Sequence, residues 1–102
     1  MEEKKPLNIE EMEEIAGGAA ADDYFHFRMD VYRNNEMIDW VPCLGRNMLP
    51  ARSLRTCIMH QNHVSLESIH IYLPSGAELN YAGTFEDNGI CEGTLLTVMI
   101  EE

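Results

Sequence analysis

The strongest constraint on the fold is a regular alternation of apolar and polar residues between positions 24 and 33. In the stretch YFHFRMDVYR, every second residue is apolar: Phe25, Phe27, Met29 and Val31. Successive side chains of a strand point to opposite faces of a sheet, so this spacing predicts a strand with one buried face. The rest of the chain has to supply neighbours for this strand and a cover for its buried face.

The next residues supply the first neighbour. The triplet NNE at positions 34–36 contains turn residues, and the stretch MIDWVPCL at 37–44 is a second apolar run. Residues 24–44 are therefore predicted to form a β-hairpin. Pro42 lacks a backbone N–H, which predicts an edge position or the end of pairing at that point.

The covering element is predicted between residues 47 and 61, where the spacing becomes helical. Apolar residues recur at intervals of three and four, at Ala51, Leu54, Cys57 and Ile58. Asn47 is a suitable cap for this helix, and Pro50 is tolerated in a first turn. We expect the helix to pack over the hairpin.

The remaining third of the chain returns to strands. SIHIYL at 68–73 predicts a strand, PSG a turn, and AELNYAG at 77–83 a short strand or a loop. The final run, TLLTVMI, alternates between one set, Leu96, Val98 and Ile100, and another set, Leu95, Thr97 and Met99. The predicted fold class is therefore α+β, with a mixed sheet of four to five strands and one packed helix.

This element order is that of the β-grasp fold, and the end of the chain resembles ubiquitin-like domains. The resemblance is carried by Gly76, Leu79, Thr84, Phe85, Asp87, Ile90, Gly93, Leu96 and Val98 within the region that contains GTFEDNGI. It extends over residues 24–100, although the first half agrees in element order alone. It implies a non-enzymatic binding module. The chain ends in MIEE and not in the Gly–Gly tail of conjugating ubiquitins, which disfavours a role as a protein modifier.

The first 18 residues follow a different pattern. At 100° per residue, Leu7, Glu11, Met12 and Ile15 fall on an arc of about 140°, whereas Ile9 points elsewhere. This stripe predicts a segment that is helical when a partner holds it, and otherwise mostly disordered because it is too short to be stable alone. The alternative is that these residues form a disordered acidic tail with a flexible joint at the glycine pair.

The spacing of these residues is similar to that of double-glycine leader peptides, which peptidase-containing ABC transporters of the bacteriocin type cleave and export. The matching positions are Leu7, Glu11, Met12, Ile15, Gly17 and Gly18. The resemblance implies that a transporter's peptidase domain recognises the first four and cleaves between Gly18 and Ala19. Glycines beside the scissile bond suit a narrow cysteine-protease channel because the backbone can approach closely. The predicted organisation is a leader (1–18), a linker (19–23) and a β-grasp domain (24–102).

Charge and hydropathy restrict which classes of partner and which cellular locations are expected. The net charge is −11, of which −4 lies in residues 1–18 and −7 in residues 19–102. Such a surface repels phosphate groups, so nucleic acid is not an expected partner, and no apolar run predicts membrane insertion. The leader predicts a bacterial protein that is secreted after leader removal. The alternative is a cytoplasmic module related to the small ubiquitin-like proteins of type VII secretion, with an uncleaved tail.

Candidate chemical sites are weak in this sequence. Cys57, His60 and His63 are spaced by three residues, but they fit a buried helix face and a helix end better than a metal site. Nothing places a base beside Cys43 or Cys91, and we expect no enzyme activity, no metal and no cofactor. The cysteine count is odd, so a complete internal disulfide set is excluded, while a single bridge stays open.

The sheet face turned away from the helix is the better candidate site. Its predicted members are His70, Tyr72, Leu95 and Met99, which would lie on neighbouring strands as a surface for an unidentified protein partner. The alternative is a register shifted by one residue, which would place these side chains in the core.

Overall fold

The computed structural model describes residues 7–9 and 24–101. Its elements in chain order are β1 (Leu7–Asn8), β2 (Phe25–Arg33), β3 (Glu36–Gly45), α1 (Arg52–Asn62), a 3-10 turn (Leu66–Ser68), β4 (Ile69–Tyr72) and β5 (Leu95–Ile100). The strands form one sheet in the order β1-β3-β2-β5-β4. This arrangement confirms the predicted α+β class with a mixed sheet and one packed helix.

The hairpin forms where the alternation predicts it. β2 and β3 pair antiparallel from Phe25 opposite Gly45 to Arg33 opposite Glu36, with a bulge after Val31. Asn34 and Asn35 form the turn with φ angles of 54° and 69°, a conformation that asparagine tolerates and that two-residue hairpins favour. β5 then lies parallel to β2 and antiparallel to β4, so the last strand is central to the sheet.

The core lies between one face of the sheet and α1. The inward side chains of β2, β4 and β5 meet the buried helix face, which comprises Ser53, Leu54, Cys57 and Ile58. Three aromatic rings close one end, with Phe27 and Phe85 edge to face at 5.5 Å and Phe25 beside them. The backbone of Gly45 approaches this cluster so closely that a Cβ there would lie 2.5 Å from the Phe85 ring.

The predicted start of the helix is wrong by several residues. Ala51 is the N-cap, so α1 begins at Arg52, and Asn47 and Pro50 lie before the helix. The reason is a tertiary contact, because residues 47–51 are tied by backbone hydrogen bonds to residues 83–86. The helix ends at Asn62, and the C-cap His63 closes the last turn with a left-handed φ of 57°, so His63 lies at the helix end as predicted.

The stretch GTFEDNGI forms a tight turn. The Thr84 N–H donates to a carboxylate oxygen of Asp87 at 3.0 Å, and the Asp87 N–H donates to the Thr84 hydroxyl at 3.1 Å. Phe85 and Ile90 on either side of this reciprocal pair are buried. The turn therefore fixes two apolar side chains in the core.

The sheet also includes part of the segment assigned to the leader. β1 pairs parallel with β3, with Leu7 opposite Cys43 and residue 8 opposite Leu44. In the folded chain Leu7 is extended, because its backbone pairs with a strand and its side chain packs against the core. The helix predicted for a leader held by a partner stays a prediction. Ile9 follows β1 directly and is fully buried.

The other leader residues lie outside the described part of the chain. These are Glu11, Met12, Ile15, Gly17, Gly18 and Ala19. Their roles and the leader boundary at residue 18 stay predictions. Among residues 7–9 and 24–101, no helix is long and apolar enough to cross a membrane.

Candidate protein-binding surface

The face of the sheet opposite α1, which we call the outer face, is organised in three rows that cross the strands. The first row is Met37, Tyr32, Met99 and His70. The second row is Trp40, Asp30, Thr97 and Tyr72. The third row is Pro42, Arg28 and Leu95. Residues that pair directly across strands point to the same face, so these side chains form one continuous surface.

The register on β5 decides between the two alternatives left by the sequence. Leu95 is 44% exposed, whereas the next residue, Leu96, is fully buried. Met99 is half-buried and lies between Tyr32 and His70. The structure therefore places all four predicted surface residues on the outer face and none of them in the core.

The outer face is more apolar at its β3 side than the sequence predicts. Met37 is 42% exposed and Trp40 is 40% exposed, and both lie in rows with the predicted residues. The hairpin register assigns Trp40 to this face, because it pairs Trp40 with the polar position Asp30. A bulge at this end of the hairpin shifts the alternation, so Met37 could not be assigned to a face from spacing alone.

A charged pair occupies the centre of the face. The Arg28 Nε donates to Asp30 Oδ1 at 2.8 Å, and the Arg28 guanidinium lies 5.2 Å from the centre of the Trp40 ring. A cation above an aromatic ring is attracted by the ring's negative face. The pair places fixed donors and acceptors among the apolar side chains of the face, which protein interfaces use for orientation.

His70 is held in place at the β4 side. Its Nδ1 lies 3.1 Å from Glu78 Oε2, and the same oxygen accepts a hydrogen bond from the Tyr81 hydroxyl at 2.9 Å. The hydrogen bond from His70, and then that from Tyr81, lower the pKa of Glu78. Burial raises the pKa of Tyr81 to about 12, so its hydroxyl keeps its proton and remains a donor at neutral pH.

A shallow depression of about 440 Å³ lies at the end of the outer face beside Leu95. Its rim includes His26 and Glu92, and the Glu92 carboxylate accepts a hydrogen bond from the His26 backbone N–H at 2.9 Å. The depression is open to solvent and continues the third row. It suits an apolar side chain of a partner better than an enclosed small molecule.

The candidate chemical sites are dispersed. Within the described ranges, 7–9 and 24–101, no three His, Cys, Asp or Glu side chains are grouped as metal ligands would be. Burial raises the pKa of the Cys43 thiol far above its usual range, so Cys43 is protonated at neutral pH. Cys57 lies in the core on α1, as predicted. The Sγ of the exposed Cys91 lies 3.6 Å from the Thr94 Oγ1.

Comparison with known proteins identifies the architecture. No protein-family model and no curated relative matches the chain. Among solved structures, a ubiquitin-like domain of an Arabidopsis thaliana protein is 17% identical, with a TM-score of 0.67 over 84% of this chain and 86% of its own. The ubiquitin of Caldiarchaeum subterraneum is 12% identical, with a TM-score of 0.64 over 76% of this chain and 95% of its own. The fold is ubiquitin-like.

A third structural neighbour is part of a complex. The crystal structure of ATBAG1 in complex with HSP70 contains a chain that is 5% identical, with a TM-score of 0.56 over 74% of this chain and 40% of its own. At these identities the likeness establishes the fold of the ubiquitin-like domain and not its partner.

Proposed function

We propose that the ubiquitin-like domain is a non-enzymatic module that binds a protein partner through its outer face. The observation that carries this proposal is the row of Met37, Tyr32 and Met99 across β3, β2 and β5, with the exposed Trp40 and Leu95 and the half-buried Tyr72 on the same face. Exposed apolar groups that form one surface mark interaction sites, whereas scattered ones do not. Domains of this fold are generally binding modules without catalytic residues, and one structural neighbour was crystallised in a complex.

The experiment compares matched surface substitutions. Cross-linked complexes would be recovered from the source cells or medium with the wild-type chain, with Leu95→Asp, and with Met48→Asp. Met48 is 62% exposed but lies outside the rows of the outer face, which makes it a control for an added charge. We expect wild type and Met48→Asp to recover the same protein and Leu95→Asp to lose it at least tenfold. Equal recovery with all three would exclude the outer face.

We further propose that the chain is a small secreted protein whose first 18 residues are a double-glycine leader. The support is the register of Leu7, Glu11, Met12 and Ile15 with the glycine pair. A peptidase-containing ABC transporter would bind the leader, cleave after Gly18 and release the ubiquitin-like domain as a binding, signalling or bacteriocin-like protein. An apolar stripe on a short helix commonly binds in a groove of a partner, and glycines beside the cleaved bond let the backbone enter a narrow channel.

The alternative is an intracellular ubiquitin-like module related to type VII secretion accessory proteins, in which the acidic tail stays attached. One structural observation favours it, because Leu7 and Ile9 pack into the core of the domain. Cleavage after Gly18 would remove both side chains from the fold.

Intact mass spectrometry of the protein from medium and from cells of its source separates the two proposals. A species in the medium that begins at Ala19 supports the leader, and Gly17→Val should abolish it. Full-length protein confined to the cells contradicts export and supports the attached tail.

A further inference from the structure

Leu7 has two roles that require different conformations. In the leader it belongs to a helical stripe with Glu11, four residues on, because side chains four apart are neighbours only on a helix. In the folded chain Leu7 lies in β1, paired with Cys43 of β3. Extended backbone rises about 3.3 Å per residue and helical backbone about 1.5 Å, so Leu7 cannot satisfy both arrangements at once.

Ile9 strengthens the sheet-bound arrangement and has no place in the leader stripe. It is fully buried in the core, yet its angular position lies away from the stripe formed by Leu7, Glu11, Met12 and Ile15. Ile9 lies outside the recognition stripe and is fully buried, so its packing holds residues 7–9 on the ubiquitin-like domain. Mutation of Ile9 can therefore disturb packing on the ubiquitin-like domain without changing the leader stripe, because Ile9 contributes to the packing alone.

We propose that folding of the ubiquitin-like domain withdraws the leader from the transporter peptidase, so that the peptidase acts on chains in which β1 has not yet docked. This inference rests on the proposed export function. Docking of β1 holds the first anchor of the stripe, the partly buried Leu7, in extended conformation against β3, and undocking exposes Ile9 to water. The folded chain is thereby a poor substrate, and the order of events is recognition first and folding afterwards.

The test compares cleavage rates of four substrates by the purified peptidase domain of a double-glycine ABC transporter. The substrates are the folded full-length chain, the full-length Ile9→Ala chain, a synthetic peptide of residues 1–24, and the same peptide with Ile9→Ala. The two peptides lack the ubiquitin-like domain on which β1 docks, so they report any direct effect of Ile9 on recognition by the peptidase. Circular dichroism checks that full-length Ile9→Ala keeps the spectrum of the folded wild-type chain.

We expect both peptides to be cut at the same rate and the folded wild-type chain to be cut at least tenfold more slowly. Ile9→Ala in the full-length chain should restore a rate near that of the peptides. Equal cutting of the folded wild-type chain and the peptide would overturn the inference and leave the export function standing. Failure of the peptidase to cut either peptide would overturn the export function, and the inference with it.

If Ile9→Ala does not fold, wild-type protein diluted from urea into the peptidase gives the same comparison. A burst of cleavage during refolding that stops once the chain is folded supports the inference. Cleavage that continues unchanged after folding contradicts it.

Discussion

The two edges of the sheet are protected in different ways. At the β4 edge, the segment that follows the strand supplies the partners of Ile71 and Leu73. The Ile71 N–H donates to the Tyr81 hydroxyl at 2.8 Å, the Ile71 carbonyl accepts from the Leu79 N–H at 2.7 Å, and the Leu73 N–H donates to the Ala77 carbonyl at 2.8 Å. The chain that leaves β4 therefore turns back and covers the edge it has just formed.

The opposite edge is formed by β3 except where β1 covers Cys43 and Leu44, and it is protected one position at a time. The His26 carbonyl is bonded to the Gly93 N–H, away from β3, so Leu44 opposite it directs its N–H towards β1. By the same alternation, the backbone nitrogens of Trp40 and Pro42 also point to this edge. The Trp40 N–H donates to the Asp39 carboxylate at 2.8 Å, and Pro42 has no N–H to donate.

This difference shows where the fold depends on distant sequence. Unpaired edge strands recruit other strands, and natural proteins block them with proline, charge or a cover. The β4 edge is blocked by residues that follow it directly in the chain. At the β3 edge, the outward N–H at Leu44 is blocked by a segment more than thirty residues away, which the leader proposal removes.

The largest expected effect is at the β3 edge. Ile9→Ala should lower the free energy of unfolding by about 2–5 kcal/mol, because it removes a fully buried side chain and leaves a cavity. Urea denaturation of the full-length chain measures this, with Leu95→Ala as the exposed control, expected to change it by less than about 0.5 kcal/mol. A change for Ile9→Ala as small as that of the control would mean that β1 does not dock.

The corresponding test of the β4 edge is Tyr81→Phe. The substitution removes the hydroxyl that accepts from the Ile71 N–H and donates to Glu78. Leaving a buried N–H without its acceptor costs about 1–3 kcal/mol. Tyr72→Phe on the outer side of β4 is the matched control, and equal urea midpoints for the two variants would contradict the assigned role of Tyr81.

Asp39→Ala tests the local protection of β3. Loss of the carboxylate that accepts from the Trp40 N–H should lower stability by about 0.5–1.5 kcal/mol, the net value of one hydrogen bond. The more informative readout is light scattering at rising protein concentration. We expect more self-association than for Glu36→Ala on the same strand, and equal behaviour of the two variants would show that this N–H is not a recruiting site.

The smallest expected effect is a pH dependence at the β4 edge. The pKa of Glu78 is lowered in the folded chain by hydrogen bonds from His70 and Tyr81, so its ionised form stabilises the fold. This contribution is complete above the pKa of the unfolded chain and is lost as the pH falls through the lowered value. Urea midpoints measured over acid pH should therefore fall less steeply for Glu78→Gln than for wild type, and parallel curves would contradict the assignment.

Local patterns predict the fold well where one element determines its own conformation. The alternation at 24–33, the asparagine turn and the GTFEDNGI turn each contain the residues that fix them. The helix start was missed because residues 47–51 bond to residues 83–86, which no local pattern reveals. The position of Ile9 was missed for the same reason, since its burial depends on β3 and not on its neighbours in the chain.

The candidate surface was predicted in part. Spacing identified His70, Tyr72, Leu95 and Met99, because β4 and β5 alternate regularly. It did not identify Met37, because the bulge breaks the alternation at that end of β3, nor Trp40, whose assignment needs the hairpin register. Hairpin register, once known, places both on the outer face.

Amide hydrogen exchange at Leu44 tests the central claim most directly, namely that β1 is part of the ubiquitin-like sheet. Leu44 directs its N–H at β1, so the full-length chain should protect this amide to a degree close to that of its neighbours on β3. In Ile9→Ala its exchange should accelerate at least tenfold while the amide of Val98 in the central strand changes less. Rapid exchange at Leu44 in the wild-type chain, equal to that in the variant, would contradict the docking of β1 and with it the withdrawal of the leader.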